Sequence, residues 1–197
     1  IYLIKIHNIN GSYHQGYNTK GAIALRKFPY PYKAAMSICS DIDGTTTVDE
    51  FLEIHKFLNS KEMTSMGRGI GLEIGDSFMM YAPPGCAFSY HSDDPANAQI
   101  IEKFIKDGYI DFMHSYGEKA DFTREDAIRA IEELSKRQCK VDVWVDHART
   151  IDNLGDDETF GLGDHPDSIA YHSDITLNYG IKFVWLGRIT TVIGQSV

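Results

Sequence analysis

Five side chains stand where strand-like runs end: Asp41 and Asp43 after residues 34–40, His114 after 109–113, and Asp146 and His147 after 141–145. Carboxylates and imidazoles are the groups that move protons near neutral pH and bind first-row divalent ions. In Asp41-Ile42-Asp43 the two-residue alternation of a strand puts both carboxylates on one side. Close carboxylates repel, which raises one pKa or recruits a cation; the plainer reading is a turn or cap role ahead of Thr45. His114 opens His114-Ser115-Tyr116-Gly117-Glu118, so a carboxylate follows as a further ligand or an orienting partner. Alone, His114 or His147 reads as a hydrogen-bonded, part-buried histidine. Together, Asp43, His114 and His147 form a ligand set suited to zinc or another divalent metal, with positions left open for water and substrate.

Such residues need a scaffold that gathers them. The first 33 residues mix aromatics, Gly and turn signals such as Asn10-Gly11, and read as an irregular N-terminal segment packed on the domain. Residues 34–197 are regular. Thr47-Val48-Asp49-Glu50 has capping-box spacing ahead of the stripe Phe51, Leu52, Ile54, Phe57 and Leu58. Residues 71–75 and 77–81 read as two short strands. Asp94-Pro95 starts a helix that Gly108 stops, and a third helix spans 123–137, with Thr123 and Asp126 at capping spacing. A helix over 168–179 and a strand over 181–186 complete the series. Strands alternating with helices imply parallel pairing through right-handed crossovers, and in such folds the carboxyl ends of the strands form the functional face. An open doubly wound sheet and a barrel both satisfy that order.

The chain has 197 residues, enough for one domain with its own core. With 43% apolar and 24% charged residues, disordered and fibrous classes are excluded. A formal charge of -9 argues against a nucleic-acid backbone or an anionic membrane as the main partner. No apolar run approaches the ~20 residues of a membrane-spanning helix. The opening Ile1-Tyr2-Leu3-Ile4-Lys5 has no initiator Met and no signal-peptide pattern, so the chain reads as a domain cut from a longer protein. Cys39, Cys86 and Cys139 are too scattered for a disulfide framework or a cysteine zinc site. Free, mostly buried thiols point to a reducing compartment, the cytoplasm. His7, His14 and His55 read as solvated, His91 as lining a pocket, and His165 and His172 as bordering the site. Asp152, Asp156, Asp157 and Glu158 read as a solvated loop face.

Two family resemblances meet these residues. Asp41-Ile42-Asp43-Gly44-Thr45 resembles the first motif of haloacid-dehalogenase-like phosphatases, which would make Asp41 a nucleophile and let Gly163-Asp164-His165-Pro166-Asp167 stand for a late magnesium motif. The preceding Ser37-Ile38-Cys39-Ser40 is less apolar than that motif wants, and the reading leaves His114 and His147 idle. A longer series resembles the polysaccharide deacetylase family, in a divergent branch linked to surface-polysaccharide biosynthesis. It runs through Ser40–Gly44, Gly71–Phe78, Asp111–Glu118, Val143–His147 and Tyr179–Trp185, in the family's order. The resemblance implies an incomplete, distorted (β/α) barrel and metal-dependent removal of N-acetyl groups from a carbohydrate. It departs from the familiar pattern in two places: the two Asp flank Ile42, and Glu118 stands where a second His would be.

On that reading Asp43, His114 and His147 hold the divalent metal, most simply zinc, with Glu118 the alternative third ligand. The metal acidifies a water and polarises the acetamide carbonyl. Asp41 is the base and His172 the acid for the leaving amine. Tyr116, Glu118, Asp146 and Trp185 meet the sugar, Trp144 is a further stacking candidate, and both Trp, lying on strands, also read as core residues. The non-enzyme alternative is a carbohydrate-binding module that kept the fold and lost the chemistry.

Overall fold

The computed structural model describes residues 2–3, 31–32, 38–40, 44–92, 94–146, 150–154 and 161–186. Asp41, Asp43, His147, His7, His14, Asp156, Asp157 and Glu158 lie outside them. The chain divides into two units, Ile1–Ile38 and Cys39–Val197. The first contains strand β1 (Tyr2–Leu3). The elements of the second run β2 (Ile38–Ser40, shared at the division), α1 (Val48–Asn59), β3 (Met63–Thr64), β4 (Gly67–Arg68), β5 (Gly75–Tyr81), β6 (Ser89–His91), α2 (Ala96–Asp107), β7 (Ile110–His114), α3 (Arg124–Lys136), β8 (Val143–Asp146), α4 (Ser173–Tyr179) and β9 (Phe183–Leu186).

Local chemistry explains most boundaries. Thr47 accepts the Glu50 N–H and Glu50 accepts the Thr46 N–H, opening α1. Asp94 accepts the Ala96 N–H ahead of α2, which ends where Gly108 turns left-handed at φ 79°. Thr123 and Asp126 form the capping box of α3. Two expectations fail for reasons of hydrogen bonding. Residues 71–74 are no strand, because Ile70 and Leu72 donate to the Phe57 and Leu58 carbonyls at the end of α1. The last helix begins at Ser173 instead of 168, because the His172 and Ser173 N–H groups both donate to the Gly163 carbonyl. The β3–β4 hairpin and β6 are too short to leave a sequence signal.

The parallel sheet runs β2-β5-β7-β8-β9, with β6 pairing the far half of β5. It curls into a half-barrel. Strand order follows chain order without reversal, so right-handed crossovers put α1 to α4 on one face. There Phe78, Met80, Met113 and Trp144 of the sheet share a core with Phe51, Ile101, Ile131 and Leu134 of the helices. Among the described residues no helix is long and apolar enough to cross a membrane. The three cysteines are free; of the thiols expected to be mostly buried, Cys139 is buried, Cys39 half-buried and Cys86 exposed.

Candidate functional site

In a parallel ladder, paired residues share a face and successive residues alternate. Met113 pairs with Trp144, and both lie in the core beneath the helices. The next row, His114–Val145–Trp185, therefore looks to the opposite, concave side of the sheet. His114 is the last residue of β7 and only 2% exposed. Trp185 shares its row two strands away and is half-buried. This row carries the candidate site.

Asp146 sits one step further along β8 and so returns to the helix side. Its carboxylate, 0% exposed, accepts the indole N–H of Trp144 and the Leu154 N–H at 2.9 Å. It braces the strand end from the face opposite His114. Tyr116 also lies on the helix side, stacked on Phe122 and edge-on to Trp144 and His172. Its ring is wholly enclosed, which leaves no face for a sugar. Glu118 is half-buried, and its N–H donates to the Tyr81 carbonyl at 3.1 Å. The preceding Gly117 crosses Tyr81 so closely that a Cβ there would stand 1.9 Å from the Tyr81 oxygen.

His172 is the clearest departure from expectation. It is 0% exposed, and both ring nitrogens are engaged: Nε2 donates to the Asp152 carbonyl at 2.6 Å, and Nδ1 lies 2.8 Å from the Thr176 hydroxyl. Burial pushes its pKa down to about 4, so the ring is neutral near pH 7. Nδ1 is then an acceptor, Thr176 donates to it, and the Tyr116 hydroxyl donates to Thr176 at 2.8 Å. A ring locked into such a chain braces the core.

Comparison with known protein families, curated proteins and solved structures finds no match.

Two residues were missed in the sequence. Asp152 was read as solvated, yet it is 0% exposed and accepts the Tyr116 N–H at 2.7 Å. Burial raises its pKa, partly offset by Thr150, the Tyr116 N–H and Ser115. Flanking Ile151 and Leu154 were the available sign that this part of the acidic run turns inward. Ser115 is left-handed at φ 44°, a costly conformation for a residue with a Cβ. That turn breaks the strand alternation and sends Tyr116 to the helix side. His55, expected to be solvated, donates Nδ1–H to buried Asp76 at 2.7 Å and packs edge-on to Phe104 and Tyr109. His91 is exposed and stacks on Tyr81. Exposed His165 lies 3.7 Å from the Asp164 carboxylate.

Among the described residues no group of three His, Cys, Asp or Glu side chains could hold a metal. His114 is the described member of the expected ligand set; Asp43 and His147 lie outside the described residues.

Proposed function

We propose that this chain is a metal-dependent hydrolase that removes an N-acetyl group from a carbohydrate, built on an incomplete (β/α) barrel of the polysaccharide deacetylase type. The observation that carries the reading is His114: a buried imidazole closing a parallel strand, on the concave side, at the edge where this architecture gathers its chemistry. Asp41 and Asp43 follow β2 in the sequence, and His147 follows β8.

One carboxylate and two imidazoles are donors that suit zinc. Asp43, His114 and His147 would hold the ion, which when bound supplies Lewis-acid polarisation of the acetamide carbonyl and acidification of a water. Asp41 is the base that takes the proton of the attacking water. Trp185, in the His114 row, offers an aromatic face to the sugar. Glu118, beyond Gly117, remains the carboxylate for a sugar hydroxyl or amine. Free thiols at Cys39 and Cys139 support a reducing compartment, the cytoplasm.

The phosphatase alternative draws on a doubly wound sheet, whose strand order reverses at a switch point above the nucleophile. An order of β2-β5-β7-β8-β9 without reversal favours the barrel. Metal analysis of the purified protein tests the reading. About one equivalent of zinc or a similar ion is expected, lost in His114→Ala and His147→Ala and largely kept in Glu118→Ala. A chain that takes up no divalent ion, or loses it with Glu118→Ala but not with His147→Ala, would contradict the ligand set.

A further inference from the structure

We infer that Asp152 is the positioning residue for His114, fixing the imidazole on the concave face by holding the backbone turn behind it; this rests on His114 being a working residue of the proposed site. Asp152 is fully buried. Burying a carboxylate is costly unless its oxygens are satisfied, and here the Tyr116 N–H donates to it at 2.7 Å. That N–H belongs to the residue immediately after Ser115, whose φ of 44° sets where the chain goes once His114 is in place.

A left-handed non-glycine residue persists only where its surroundings over-determine it. Three contacts do so. The Ser115 N–H donates to the Val145 carbonyl at 2.7 Å, which pins β7 to β8 one residue beyond His114. The Ser115 hydroxyl accepts the Gly117 N–H at 3.0 Å. The Asp152 carboxylate holds the Tyr116 N–H from below. Asp152 is in turn fixed by its own carbonyl, which accepts from His172, and His172 is fixed by Thr176 of α4. The loop after β8 thereby reaches under the end of β7 and clamps the turn that carries the imidazole. Asp152 acts on the turn through the Tyr116 N–H and the Ser115 side chain, so its geometry as an acceptor matters rather than its charge.

The test compares Asp152→Ala, which deletes the acceptor, with Asp152→Asn, which keeps an acceptor oxygen without the charge. Imidazole proton–nitrogen correlations read His114 directly, assigned by their loss in His114→Gln. His55, bonded to Asp76 near the start of β5, is the internal control. In Asp152→Ala the His114 correlations are expected to move while those of His55 stay, and kcat for acetyl release falls about 10–100-fold with little change in KM. In Asp152→Asn they stay in place. Adding Ser115→Gly to Asp152→Ala brings them back toward the parent, because glycine takes the left-handed turn unaided. Unmoved His114 correlations in folded Asp152→Ala, or equal displacement in Asp152→Asn, would overturn the inference. If Asp152→Ala does not fold, Asp152→Ser, whose shorter side chain cannot reach the Tyr116 N–H, takes its place with the same expected and overturning results. A parent chain with no acetyl-releasing activity would remove the proposed function while leaving these correlations to judge the clamp.

Discussion

Neutral near pH 7 and bonded at both ring nitrogens, His172 ties the loop after β8 to α4. Its folded pKa of about 4 lies below the ordinary 6.5, so the unfolded chain binds the extra proton more readily. The stability it contributes is therefore full above about pH 6.5 and is lost as pH falls through 4. The loss is on the order of 3 kcal/mol at the acid limit, since each pKa unit is worth about 1.4 kcal/mol. Urea midpoints measured from pH 7 to pH 4 should fall more steeply in the parent chain than in His172→Asn; parallel slopes would show that the ring is not held neutral. At this scale the sequence marks chemistry-bearing types but not the face each will occupy. His114 and Asp146 end neighbouring strands, yet one residue of register places them on opposite sides of the sheet. Nor does it show that His55 is half-buried and Asp152 buried, because their partners, Asp76 and the Tyr116 N–H, lie 21 and 36 residues away.

Helix ends were legible because their signals are local: Thr47 with Glu50, Asp94-Pro95 with Gly108, and Thr123 with Asp126 all act within a few residues. The start of α4 and the state of residues 71–74 were not, since carbonyls distant in the sequence capture their N–H groups. Two glycines separate turn conformation from close approach. Gly108 has φ 79° with open space around its Cβ position, so Gly108→Ala should cost about 1 kcal/mol, the strain of a left-handed alanine. Gly117 has φ 106° and would drive a Cβ into the Tyr81 backbone, which cannot yield without breaking the β5–β7 ladder. Gly117→Ala should cost at least about 3 kcal/mol, the range reached by severe overpacking plus backbone strain. Chemical denaturation of both variants checks the difference; equal losses would mean that the β7 extension does not bear on β5.

Alternation of strands and helices is enough to read a parallel sheet, but it does not say whether strands are added on one side or on both. That choice depends on which earlier strand each new one pairs with, a property of the whole chain. Here β7, β8 and β9 each add beyond the last, with β6 beside the far half of β5, so the helices share one face and the concave face is left to His114, Val145 and Trp185. The same order brings the end of β7 beside the end of β8, where His147 follows, while β5 stands between β2 and β7. The most direct test of the deacetylase reading is acetate release from an N-acetylated oligosaccharide by chelator-treated protein, with and without added zinc. Release that requires zinc and is abolished in folded His114→Ala is the expected result. No release with zinc or any other first-row divalent ion, or release that persists in His114→Ala, would contradict it.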